Sequence, residues 1–137
     1  MAKFFIDTNI LIYANDRKDP EKQKMAKLLI SELMTSGEGV VSTQVLQEYA
    51  KVAMDKLGQK EEVVLRQLHL LEKMEVVRQS PAMIRRAVEI RKTYHINFWD
   101  ACIVSNAEYA ECDTIYSEDL NTGQFYSGIR IENPFSE

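Results

Sequence analysis

Four acids fall at or soon after the junctions between predicted elements. Asp7 follows the apolar stretch Phe4–Ile6 in KFFIDTNILIYA. Glu48 lies about two turns into the helix predicted after Val40–Ser42. Asp100 stands in the first turn of a helix opened by Asn97, in INFWDACIVSNA. Asp119 comes just after Thr114–Tyr116, in IYSEDLNTGQ. Carboxylates gathered without basic partners repel, and some stay protonated unless a cation joins them. A donor set made only of oxygen suits a hard divalent ion, Mg²⁺ or Mn²⁺. Such an ion orients a phosphodiester, lowers the pKa of a water and stabilises a leaving oxygen.

Each acid also has a plainer reading. Asp7 serves as a helix cap, and Glu48 as a half-exposed acid at the edge of an apolar arc marked by Val45 and Val52. Asp100, three residues after Asn97, fits a capping-box-like start favoured by the helix dipole. Asp119 is an ordinary turn residue, and its neighbour Glu118 is an alternative fourth acid.

The elements that would bring the four together are short apolar strands alternating with longer helices. Strands are predicted at Phe4–Ile6, Val40–Ser42, Glu75–Val77 and Thr114–Tyr116, with an edge strand at Ile129–Ile131. Asp19-Pro20-Glu21 and Ser80-Pro81 are helix starts, with a capping side chain and Pro at the first position. The first of these helices carries Met25, Leu28, Leu29 and Leu33 at helical spacing and stops at Ser36-Gly37. Further helices are expected over Asn9–Ala14, Thr43–Leu57, Glu61–Lys73, to about Tyr94, and over Asn97–Tyr109. This alternation predicts an α/β domain with a mostly parallel sheet of four to five strands flanked by helices. In such sheets ligands bind beyond the carboxyl ends of the strands, the edge at which a parallel sheet could bring the four acids together.

Length and composition agree. A chain of 137 residues, 45% hydrophobic and 28% charged, with five Gly and three Pro, suits one domain spanning 1–137 with a sizeable core. No apolar run reaches the length of a membrane span. The early apolar run is broken by Asp7, unlike a signal peptide. Cys102 and Cys112 lack metal-type spacing and do not make a disulfide framework; Cys102 reads as a small buried hydrophobe. A reducing cytoplasm is the expected compartment. The net charge of −4 leaves a polyanion ligand in need of local positive charge, from a basic patch or a metal.

FFIDTNILIYA, VVSTQVLQEYAKV, INFWDACIVSNA and IYSEDLNTGQ together resemble the PIN-domain nucleases, in particular the VapC-like toxin ribonucleases of toxin–antitoxin pairs. The resemblance covers nearly the whole chain. It implies a three-layer PIN-like sandwich and Mg²⁺- or Mn²⁺-dependent cleavage of RNA. It makes Asp7, Glu48, Asp100 and Asp119 the catalytic, metal-holding acids. It makes Thr8, Asn9, Ser42 and Ser117 their polar support. An antitoxin partner and a homodimer are further expectations of the same resemblance. A PIN-like module without turnover, binding RNA or protein, is the alternative; the presence of all four acids argues against it.

Arg85, Arg86, Arg91 and Lys92 on one helix, and Lys18, Lys22 and Lys24, are either phosphate contacts or solvated faces. Trp99 could stack on a base, but core packing is the preferred reading for a lone Trp in an apolar helix start. His69 and His95 stand apart and receive no role.

Overall fold

The computed structural model describes residues 2–136. Along the chain lie β1 (Phe4–Ile6), α1 (Thr8–Ala14), α2 (Pro20–Ser36), β2 (Gly39–Ser42), α3 (Thr43–Asp55), α4 (Glu61–Leu71), β3 (Glu75–Val77), α5 (Pro81–Tyr94), α6 (Phe98–Tyr109), β4 (Thr114–Tyr116), β5 (Phe125–Tyr126) and β6 (Ile129–Glu132). The predicted starts work as caps. The side chains of Asp19, Ser80 and Asn97 accept from the backbone N–H groups of Lys22, Met83 and Asp100. α2 ends at Gly37, whose φ of 74° is the left-handed turn that glycine adopts without strain.

The strands form one sheet in the order β3-β2-β1-β4-β6-β5. β1 pairs in parallel with β2 on one side, Phe5 opposite Val40, and with β4 on the other, Ile6 opposite Tyr116. The chain therefore builds outward from β1 through β2 to β3, then crosses back to the far side of β1. The order reverses between β1 and β4, so the crevice beyond their carboxyl ends is the topological switch point where open α/β sheets take ligands.

Helix contacts sort into two groups. α1 packs on α2 and α3, and α3 on α4; α5 packs on α6. Right-handed crossovers place groups that lead in opposite directions along the sheet on opposite faces. This gives the expected helix–sheet–helix layering. Strand residues Phe5, Ile6, Val40, Val41, Ile115 and Ile131 are all buried, as a sheet covered on both faces requires.

Three expectations shift. Ile129–Ile131 is not at the edge: β6 lies between β4 and the two-residue β5, which pairs antiparallel with it. The hairpin turns at Ser127 and Gly128, both at positive φ (52° and 79°), the combination a two-residue loop of this handedness needs. On α2, Met25 and Leu28 point outward, and the buried stripe is carried by Ala26 and Leu33. Leu65 of α4 is likewise exposed, while Val64 and Leu71 face the core. Cys102 and Cys112 are free and buried, as small hydrophobes. Among the described residues no helix is long and apolar enough to cross a membrane.

Candidate metal centre

Asp7 is the first residue beyond β1 and also caps α1. Its Oδ1 accepts the Thr8 N–H at 2.7 Å, and its Oδ2 accepts the Ser117 hydroxyl at 2.7 Å. Its own N–H donates to the Tyr116 carbonyl at 3.0 Å, which ties it to the end of β4. The side chain is 4% exposed. Burial pushes its carboxyl up to about 7, against the two hydrogen bonds that lower it; the charges of Asp119 and Asp100 push further in the same direction.

Asp100 arrives from the opposite layer, in the first turn of α6. It and Asn97 hold one another: the Asp100 N–H donates to Asn97 Oδ1 at 2.9 Å, and Asn97 Nδ2 donates to Asp100 Oδ2 at 2.7 Å. Burial, the nearby Asp119 and Glu48 raise its pKa, opposed by the Asn97 hydrogen bond. Asp119 comes from the loop after β4. Ser117 shapes that loop, its hydroxyl oxygen accepting the N–H groups of Asp119 at 3.1 Å and Leu120 at 3.3 Å.

One oxygen each from Asp7, Asp100 and Asp119 lies within 4.8 Å of the others. Among the described residues no cationic side chain pairs with any of the three. Lys51 lines the same cavity, but its ammonium is paired with Asp55 at 3.1 Å. Three converging oxygen donors without a counter-ion fit a hard divalent cation.

Glu48 lines the same cavity, of about 330 Å³, yet stands outside the three-acid cluster. Its Oε1 accepts the Thr8 hydroxyl at 2.8 Å. Glu118 turns the other way. It accepts the Tyr13 hydroxyl at 2.7 Å and pairs with Lys22. Burial opposes its ionisation, but those partners outweigh burial and hold its carboxyl below the usual range. Of the two neighbouring acids, Asp119 is the one at the cluster. Asn9 lines the cavity and accepts the Glu118 N–H at 3.2 Å, leaving its Nδ2 buried without a partner. Ser42 does not reach the cavity; it caps α3, accepting the Val45 N–H at 3.3 Å, and so sets the helix that carries Glu48.

The family model of the PIN domain matches residues 4–126, the segment from β1 into β5 that contains every one of these acids. The chain belongs to the PIN domain family. No curated protein matches it significantly. Solved PIN structures share its fold. A toxin–antitoxin complex from Klebsiella pneumoniae contains a chain that is 20% identical, covers 98% of this chain and 100% of its own, and superposes with a TM-score of 0.73. The DNA-bound VapBC of Salmonella typhimurium has 20% identity, coverage of 98% and 99%, and a TM-score of 0.71. A Sarcin-Ricin loop cleaving VapC toxin of Mycobacterium tuberculosis has 18% identity, coverage of 93% and 99%, and a TM-score of 0.69.

This PIN domain also uses residues that the sequence pattern did not single out. Gln44, buried on α3 one turn before Glu48, lines the cavity and donates to the Trp99 carbonyl at 3.3 Å. It thereby ties the helix of Glu48 to the first turn of the helix of Asp100. Behind it, the fully buried Asn106 reaches Gln44 and Gln79, each at 3.5 Å. For Asn106, an amide inside the buried apolar run of α6 is the available signal. Arg86 is engaged within the fold, in a two-point contact with Glu108 at 2.8 and 3.0 Å. Trp99 is not in the core; it is 63% exposed and lines the acid cavity.

Proposed function

We propose that the chain is a single-domain, metal-dependent endoribonuclease of the cytoplasm, the toxin of a toxin–antitoxin pair. The observation that carries this reading is the convergence of Asp7, Asp100 and Asp119 at the switch point between β1 and β4. Asp7, Asp100 and Asp119 would hold Mg²⁺ or Mn²⁺ directly, with Glu48 completing the acidic site. When bound, such an ion supplies Lewis acidity toward a phosphodiester and its attacking water.

The chain's own residues set the stage for that chemistry. Ser117 and the Thr8 N–H keep the buried Asp7 oriented and favour its charged form. Thr8 aims Glu48 into the cavity, where a carboxylate outside the three-acid cluster is free to take a proton from water. Asn97 fixes the rotamer of Asp100, and Ser117 fixes the backbone of Asp119. Asn9 and Ser42 are supports, one for the loop beside Asp119 and one for α3. An acidic protein reaches an acidic polymer because the ion supplies the positive charge locally.

Two of the similar structures come from toxin–antitoxin complexes, one of them bound to DNA, and the third is named as a Sarcin-Ricin loop cleaving toxin. Carried to this chain, they support an RNA substrate and an antitoxin partner. An apolar groove between α2 and α4, with Ile30, Met34 and Leu70 in its wall and Leu28 and Leu65 exposed on the same two helices, suits a protein partner. Ile84 and Val88, four apart on α5 and both exposed, give a second apolar stripe suited to a homodimer.

Labelled total RNA incubated with the protein and Mg²⁺ or Mn²⁺ tests the reading. Discrete cleavage that stops with EDTA and is lost in Asp7→Asn is expected. Cleavage that persists in the variant contradicts the site; a folded, metal-loaded wild type that cuts no RNA favours the interaction-module alternative.

A further inference from the structure

Trp99 is the only tryptophan of the chain. It stands one residue before Asp100 and lines the same cavity as Asp7, Glu48 and Asp119, with 63% of its surface in solvent. Leaving an indole in water forgoes the burial of a large apolar surface, and the core beneath it is already filled by Ala101, Cys102, Ile103 and Val104 of the same helix. The ring is nonetheless braced. Phe98 meets it edge to face, centroids 5.3 Å apart and planes at 67°. The backbone beneath it is held by Gln44. The other well-exposed aromatics, Tyr109 and Phe125, lie outside this cavity. Lys51 is the one cationic residue among those lining it.

A braced aromatic plate beside a carboxylate cluster has a specific use if the ligand is a nucleic acid, as the ribonuclease reading above supposes and on which this inference rests. An indole face stacks on a base whose own face is uncovered; in a duplex both faces of each base are already stacked. The geometry points to Trp99 as a substrate-selecting residue that stacks on an unpaired base next to the scissile phosphate. Trp99 acts on substrate choice and binding, while the acids act on the reacting phosphate.

Because Trp99 is the sole tryptophan, its emission reports the contact directly. The full chain, with Ca²⁺ replacing Mg²⁺ to suppress cleavage, is titrated with a dye-labelled single-stranded oligoribonucleotide pool and with blunt duplexes of the same length. Dye anisotropy gives binding, and tryptophan emission gives stacking. The expected result is an emission change with single strands and none with duplex. Trp99→Ala should bind single strands about 5- to 150-fold more weakly, and Trp99→Tyr should stay close to wild type. Anisotropy showing RNA bound while emission stays still, or Trp99→Ala binding like wild type, overturns the stacking role and leaves the ribonuclease reading standing. Emission that shifts with protein concentration alone shows the ring covered by a second copy and also overturns it. A wild type that binds neither RNA by anisotropy defeats the ribonuclease reading, and this inference with it.

Discussion

The Ser117 hydroxyl donates to Asp7 Oδ2 at 2.7 Å, joining the ends of β1 and β4 across the point where the strand order reverses. The same oxygen accepts the N–H groups of Asp119 and Leu120. One side chain thus orients the buried acid of the first strand and shapes the loop that delivers the last. Ser117→Ala leaves a buried carboxylate short of a donor, which should cost about 1–3 kcal/mol. Denaturant unfolding at neutral pH in EDTA, compared with wild type, measures it.

The metal-free protein should show a pH dependence that belongs to Asp7. An acid whose pKa is raised in the folded state binds more protons folded than unfolded. Its contribution to stability therefore falls as pH rises between the two values. For Asp7 that window runs from its ordinary 3.8 to about 7. In EDTA, wild type should lose Tm relative to Asp7→Asn as pH climbs through this window, then run parallel above it. Added Mn²⁺ should reverse the trend, most strongly at the alkaline end. Parallel Tm curves throughout would show that Asp7 is already ionised in the empty site.

Thr8→Val removes the hydroxyl that aims Glu48 while keeping the shape of the side chain. Supporting contacts around metal sites are typically worth roughly 10- to 100-fold in affinity or activity. Here the loss should fall on kcat, with Mn²⁺ affinity little changed, because Glu48 stands outside the three-acid cluster. Single-turnover cleavage alongside Mn²⁺ titration separates the two quantities.

Glu118 and Asp119 should part company on mutation. Glu118 is engaged with Tyr13 and Lys22, a half-buried pair on the α1–α2 side, and Lys22 also sits 4.6 Å from the Tyr13 ring centre. Glu118→Gln should cost no more than about 1 kcal/mol of stability and leave metal binding in place. Asp119→Asn should weaken metal binding strongly with little effect on Tm. Calorimetric metal titrations of the two variants decide which neighbour serves the ion.

Much of this was readable from local chemistry. Asp19-Pro20, Ser80-Pro81 and Asn97 announce helix starts because the cap is made within three residues of chain. β3 and β4 stand at Glu75–Val77 and Thr114–Tyr116, where the short strands are predicted. The four acids were legible because each follows such a boundary. What escaped depends on distant partners. β5 is two residues long and has no period to detect; only its pairing with β6 makes it a strand. Glu118 stays an alternative to Asp119 in the sequence because Lys22, which pairs with it, lies 96 residues away. Gln44 carries no mark of its role, and Trp99 reads as core, because neither which face of α6 the sheet covers nor what lies across the cavity is written in local sequence.

Mn²⁺ binding followed by electron paramagnetic resonance, in wild type and in Asp7→Asn, Asp100→Asn and Asp119→Asn, tests most directly whether the three aspartates form one metal centre. Saturable binding by wild type, sharply weakened in each folded variant, is the predicted result. Binding that survives all three substitutions unchanged, or a wild type that binds no Mn²⁺, would contradict it.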